Sequence, residues 1–411
     1  MACTGHIAMF SVPAYGHVYP SLPVIRELVD RGYRVTYSIN DEFAPLVETA
    51  GATPVCYKST LPSESDPETS WPEDRLDMAT ILLNEAIAVL PRMTAAYDGD
   101  RPDLLLYDVV GYTARILAAR WALPIVQLSP LFVAWEGYED AMAPVIQAMT
   151  QQPAGLDYYV RFAALLAEQG IDMPVDEFAW RPERCIALIP RALQPHAELV
   201  ANNYTFVGPC LDDRAHQGDW EPPEGDRPVL LISLGSAYTK ALEFYQQCIA
   251  AFGGLDWHVV MVTGRRVEYA ELGPVPANFE VHPWVPQLSV LSRASAFITH
   301  AGMGGVSEAL YHGVPMVVVP QVFDQHPNAA RLVELGVARL LPREEVTAGL
   351  LREAVHSLAA DPDVPTRLVA LREEIRRSGG AAAAADLIEH HLIQTRATGC
   401  RASDAASTRW R

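Results

Sequence analysis

Apolar positions fall in short runs separated by longer amphipathic stretches. The run at 6–12 reads as a buried strand, and 20–31 as a helix closed by Gly32. Strands follow at 34–39, 52–57, 103–107 and 124–129, with helices near 41–50, 75–97 and 112–122. Strands this uniformly apolar, alternating with helices, predict a parallel sheet covered on both faces. A Pro- and acid-rich loop interrupts them at 59–74 (STLPSESDPETSWPED). From about 130 to 180 the pattern turns irregular or weakly helical and rich in aromatics. Such a segment either packs as inserted helices on the sheet or lines an apolar cleft.

Residues 208–228 have linker composition, with Gly, Pro and acid and no periodicity. The alternation then restarts, with strands at 229–234, 257–263, 279–282, 296–299, 316–319 and 338–341. Helices are expected between them near 239–252, 286–293, 304–312 and 325–335, and then at 347–359, 364–378 and 380–394. The organisation predicted is an N-terminal domain (1–207), a linker (208–228) and a C-terminal domain (229–395) whose last helices pack back on the first, followed by a frayed polar tail (396–411). The fold class is α/β, with two Rossmann-like doubly wound domains facing across a cleft. In such sheets the ligand sits beyond the carboxyl ends of the strands.

Composition narrows the function. A chain of 411 residues suits two domains. A net charge of −19 argues against nucleic acid and anionic membranes as partners. Lys58 and Lys240 are the only lysines, and neither completes a Walker phosphate loop. The six cysteines show no Cys-x-x-Cys spacing, so idle thiols in a reducing compartment are expected rather than disulfides or zinc. Neither a signal peptide nor an apolar run of membrane-spanning length is visible, and a cytoplasmic protein is expected.

The loops after the strands carry the candidate chemistry. His17 follows the first strand, where an imidazole can act as a base near neutral pH, or simply bridge the loop. Asp108 ends strand 103–107 on the same sheet edge and either orients His17 or caps the next helix. In the second half, Gly235-Ser236 follows a strand. Thr299-His300-Ala301-Gly302-Met303-Gly304-Gly305-Val306-Ser307-Glu308 reads as strand, Gly-rich turn and helix. A diphosphate at that helix start would meet unpaired N–H groups and the positive end of the dipole. The same turn approaches a dinucleotide fingerprint, with Ser307 where Gly or Ala belongs, so a hydride-transfer enzyme is a rival. Trp284 either stacks on a base or packs in the core. Asp324 and Gln325 either bind vicinal hydroxyls or cap a helix.

Together, PAYGHVYP, LLLYD, LGSAY, WVPQ, THAGMGGVSEAL and VPQVFDQHPNA stand in the order found in GT-B nucleotide-sugar glycosyltransferases. Over nearly its whole length the chain resembles the bacterial macrolide glycosyltransferases. The resemblance implies inverting transfer of glucose from UDP-glucose to a hydroxyl of a macrolide or similar lipophilic alcohol, with no metal required and no permanent cofactor. The β-glucoside formed would inactivate the antibiotic in self-resistance. His17 would be the general base and Asp108 its partner. Trp284, Val285 and Gln287 would hold the uracil end, and Ser236, His300, Gly302, Gly304 and Gly305 the diphosphate. Glu308 would bind the ribose, and Asp324 with Gln325 the sugar. Trp71, Phe132 and Trp135 are candidate acceptor contacts. The Trp-Asn-Ser of plant relatives is replaced by Met303-Gly304-Gly305, which leaves phosphate contacts there to the backbone. Other readings are a biosynthetic transferase using another nucleotide sugar or a phenolic acceptor, a catalytically idle binding protein, and the dinucleotide-dependent oxidoreductase.

Overall fold

Strands without a polar face survive only where both faces are covered. In a computed structural model that describes residues 4–407 except 64, 67, 213 and 224, the chain sorts its strands into two wholly parallel sheets. The first contains β1 (His6–Phe10), β2 (Arg34–Ile39), β3 (Thr53–Cys56), β4 (Leu104–Tyr107), β5 (Ile125–Ser129), β6 (Cys185–Ala187) and β7 (Tyr204–Phe206), in the order β3-β2-β1-β4-β5-β6-β7. The second contains β8 (Val229–Ser233), β9 (His258–Val262), β10 (Phe279–His282), β11 (Ala294–Thr299), β12 (Met316–Val318) and β13 (Ala338–Leu340), in the order β10-β9-β8-β11-β12-β13. Strand order reverses between β1 and β4 and again between β8 and β11. A crevice opens at each of these points, beyond the strand ends.

Helices on the first sheet are α1 (Tyr15–Asp30), α2 (Ala44–Glu48), α3 (Arg75–Tyr97), α4 (Tyr112–Trp121), α5 (Tyr138–Thr150), α6 (Pro153–Glu168) and α7 (Val175–Trp180). The second half adds α8 (Leu242–Phe252), α9 (Gln287–Leu291), α10 (Met303–His312), α11 (Gln325–Glu334), α12 (Ala348–Ala360), α13 (Asp363–Arg377) and α14 (Gly380–Ser407). Among the described residues no helix is long and apolar enough to cross a membrane.

Several elements differ from the sequence expectation. α1 begins at Tyr15, not at 20, with Pro20 and Pro23 inside it. Burial of Val18, Leu22, Val24 and Ile25 carries the helix back through Pro20, which local preference reads as a start signal. The 130–180 segment forms three helices. α6 buries Tyr158 and Phe162, whereas α5 buries no residue. The three-residue strands β6 and β7 were not anticipated, being too short to show a period. The expected frayed tail is helical as far as Ser407, where α14 ends, and 408–411 lie outside the described residues.

α13 packs on the second sheet through Val364, Leu368, Leu371 and Ile375, but α14 crosses to the first, where Ala384, Ala385, Ile388 and Leu392 join its core. Arg31, at the end of α1, holds this crossing with ion pairs to Asp386 at 2.7 Å and Glu389 at 2.6 Å. The 59–74 loop reaches the other way. The Tyr238 hydroxyl donates to the Pro72 carbonyl at 2.8 Å, and Arg266 to that of Thr69 at 2.6 Å. Ile388 is fully buried, so Ile388→Ala should cost about 2–5 kcal/mol of unfolding free energy, read from urea denaturation. A loss under about 1 kcal/mol would mean that α14 does not need its seat on the first sheet.

Candidate active site

β1 and β4 run in register, Phe10 opposite Tyr107, so the residues after them meet at one edge. His17 stands in the first turn of α1, and its Nδ1 lies 3.0 Å from Oδ2 of Asp108. Asp108 is 1% exposed, and both of its oxygens are engaged. Oδ2 also accepts from the Ser11 hydroxyl at 3.0 Å and the Val12 N–H at 2.9 Å, and Oδ1 accepts from the Val110 N–H at 3.2 Å. Asp108 does not cap α4, whose N-cap is Gly111. Such a carboxylate selects the Nδ1–H tautomer of neutral His17 and leaves the lone pair on Nε2.

The second crevice is built of glycine. A Cβ on Gly302 would come 2.4 Å from His300 Nε2, and one on Gly235 would come 2.6 Å from His300 Cε1. Gly235 also has φ +79°, which disfavours a side chain. The two glycines therefore let the His300 ring lie between the turns that follow β8 and β11. Burial pushes the His300 pKa down to about 4, so near neutral pH this residue is an uncharged N–H donor. Gly302 N-caps α10 with no side-chain bond, so the first N–H groups of the helix are left to the cavity. A Cβ on Gly304 would meet nothing within 4 Å, and one on Gly305 nothing nearer than 3.6 Å. The protein itself therefore does not demand glycine at either position.

Deeper in α10, Glu308 is almost fully buried. Its Oε1 accepts from Arg214 at 2.7 Å and its Oε2 from the Gln287 amide at 2.6 Å. Trp284 is half exposed on the cavity wall, which rules out a core role, and Val285 beside it is buried. Asp324 accepts from Asn328 at 3.1 Å. Burial raises its pKa, against the opposing pull of Asn328, His17 and Arg75. The Gln325 carbonyl accepts from the backbone N–H groups of Gln321 and Val322, at 2.8 and 3.2 Å, which leaves its amide nitrogen to donate.

One cavity of about 1100 Å³ lies between the two sheets. It is lined by His17, Ser236, Trp284, Val285, Gln287, His300, Gly302, Gly304, Gly305, Glu308, Asp324 and Gln325, and by Trp71, Phe132 and Trp135 on the N-terminal side. Of the sequence candidates, Asp108 alone stands behind the wall, with His17 in front of it. Trp135 meets Tyr138 edge-on at 4.9 Å, placing the base of α5 against the cavity.

Residues 187–372 match the family described as UDP-glucoronosyl and UDP-glucosyl transferase. Oleandomycin glycosyltransferase of Streptomyces antibioticus is 52% identical over 391 residues, covering 94% of this chain and 91% of that protein. An NDP-glycosyltransferase of Bacillus licheniformis, YjiC, is 37% identical over 94% of this chain and 98% of its own. Among solved structures, the glycotransferase of kitacinnamycin superposes with a TM-score of 0.88 at 48% identity, over 95% of this chain and all of that one. The chain belongs to this glycosyltransferase family. A nucleotide-sugar transferase of GT-B architecture replaces the dinucleotide-dependent oxidoreductase as the reading of the Gly-rich turn.

Sequence reasoning missed the groups that support this transferase's site. Ser11 and the Val12 N–H hold Asp108, but nothing in an apolar strand end marks them. Arg214 lies in a segment read as a linker, and an Arg beside Asp212 and Asp213 in an aperiodic stretch is no signal of a site. His300 yields a pH test. Its folded pKa of about 4 lies below the ordinary 6.5, so the unfolded chain takes up the proton first. The neutral ring's contribution is complete above about pH 6.5 and is lost as pH falls toward about 4. His300→Gln should therefore lose less stability than the parent between those pH values, measured by urea midpoints. An equal loss would place the acid sensitivity elsewhere.

Proposed function

We propose that this glycosyltransferase moves glucose from UDP-glucose to a hydroxyl of a macrolide, inverting the anomeric carbon to give a β-glucoside that inactivates the antibiotic in the cytoplasm. The acceptor would be held by residues 1–207 and the donor by 229–395. The observation that carries this reading is the His17–Asp108 pair, 3.0 Å apart at one crevice, sharing its cavity with the uncapped start of α10 at the other. The name of the Streptomyces antibioticus relative supports a macrolide acceptor. So does a large cavity whose N-terminal wall is aromatic.

Each residue then has a physical task. An alcohol is a poor nucleophile near neutral pH, and Nε2 of His17 takes its proton as the oxygen attacks C1, a contribution of order 10²–10⁴ in rate. Asp108 stabilises the imidazolium that forms. The leaving diphosphate gathers charge, which the α10 N–H groups, Ser236 and neutral His300 meet with hydrogen bonds in place before the reaction starts. Glycine at 304 and 305 lets the phosphates approach the backbone. The Trp284 face stacks on the base, with Val285 and Gln287 beside it. The Asp324 carboxylate and the Gln325 amide nitrogen suit the hydroxyls of a fully hydroxylated hexose, and Trp71, Phe132 and Trp135 face the acceptor. A second reading, transfer from another nucleotide sugar, is favoured by the Bacillus relative, whose name leaves the nucleoside open.

The test is a donor-by-acceptor panel read by mass. UDP-glucose with a macrolide should add about 162 Da, the mass of glucose less water. Transfer from TDP-deoxysugars alone would select the second reading. His17→Ala should lower kcat by about 10²–10⁴-fold while UDP binding persists, and equal loss of both would make His17 structural. Asp108→Asn should be nearly as damaging. Both Asp108 oxygens accept backbone N–H groups, so an amide must turn its NH₂ against one of them. With no divalent ion in the scheme, excess EDTA should leave the rate within about twofold, and a loss restored by Mg²⁺ would refute it.

A further inference from the structure

We propose that Arg214 is a positioning residue that makes Glu308 a reader of the ribose 2′-hydroxyl, biasing the site toward ribonucleoside over 2′-deoxyribonucleoside diphosphate donors. The inference rests on the proposed function, with Glu308 accepting from the ribose hydroxyls of the donor.

Arg214 comes from the 208–228 segment, yet its side chain is only 10% exposed and that of Glu308 only 5%. The guanidinium donates to Glu308 Oε1 at 2.7 Å and lies over the ring of Tyr19, 4.2 Å from its centroid. The segment is fastened to α1 on both sides of Arg214. Asp212 pairs with Arg26 at 3.3 Å, and Gln217 donates to the Tyr19 hydroxyl at 2.8 Å. Tyr19 is two residues beyond His17, so one cation touches both the helix that carries the base and the helix that starts the donor turn.

Lone-pair accounting gives the consequence. An ionised carboxylate is acceptor-only, with about four lone-pair sites on its two oxygens. Arg214 takes one on Oε1 and the Gln287 amide one on Oε2. One site remains on each oxygen, matching the two vicinal hydroxyls of a ribose. A 2′-deoxyribose leaves one of them unmet on a buried carboxylate, which costs binding because that lone pair gave up its hydration without gaining a donor. The guanidinium also offsets the Glu308 charge, which would otherwise oppose a diphosphate bound at the start of α10. Without Arg214, Oε1 loses its fixed partner, the carboxylate can rotate, and the demand for two hydroxyls relaxes.

Calorimetric titration of the full chain with UDP and with 2′-deoxy-UDP tests this. The parent should bind UDP at least about tenfold more tightly than 2′-deoxy-UDP. Arg214→Met should shrink that ratio to about twofold, and Arg214→Lys, which keeps the charge but not the planar fork, should restore part of it. In turnover, the Met variant should raise the donor KM more than it lowers kcat. Equal weakening toward both nucleotides with the ratio preserved would make Arg214 merely structural and overturn the inference, as would a parent that does not distinguish the two. A parent that fails to bind UDP at all would instead sink the UDP-sugar reading on which the inference rests. Should Arg214→Met not fold, Tyr19→Leu removes the ring beneath the guanidinium, together with the hydroxyl that Gln217 donates to, and leaves Arg214 itself in place. Its ratio should fall in the same direction, and an unchanged ratio would overturn the proposal.

Discussion

A charged carboxylate is held out of water only where donors replace the water it gives up. Asp108 meets that condition with two backbone N–H groups, a serine hydroxyl and an imidazole. The N–H groups are available because β1 and β4 end side by side and the chain turns away from each at once. The pair with His17 thus depends on the parallel register of the first sheet and on α1 starting early enough to bring His17 back over the strand end. Shifting that register or delaying the helix would leave the carboxylate buried without its partners.

The second sheet solves the complementary problem. On the proposed function, an anion is to be met there by donors already in place, without a charged side chain crowding it. Glycines at 235 and 302 accommodate the His300 ring, and its burial keeps the imidazole neutral. The uncapped start of α10 supplies the remaining N–H groups. The His17–Asp108 pair at one strand-order reversal and the uncapped start of α10 at the other share one cavity because the sheets present their carboxyl edges to each other. The 59–74 loop and α14, crossing in opposite directions, tie the halves together.

The segment between the halves does more than connect them. Its composition is that of a spacer, yet Arg214 and Gln217 dock on Tyr19, and Arg214 continues to Glu308. Losing either partner would strand a buried charge, so the pair ties α10 to a segment that rests on α1 even where its net stabilisation is small.

Alternating apolar runs and amphipathic stretches were enough to read two parallel α/β units from the chain, because a strand buried on both faces has no polar positions to hide its identity. The post-strand positions of His17, Asp108, His300 and Asp324 were legible for the same reason. Six short motifs in order were enough to indicate the family. What the chain did not disclose alone depends on distant contacts. Burial carried α1 back through Pro20 to Tyr15, and β6 and β7 are too short to carry a period. Arg214 belongs to the site only because folding brings a polar, aperiodic segment against two helices far away in sequence. Local preference records what each residue does to its neighbours along the chain, and only packing decides which distant group completes a buried charge.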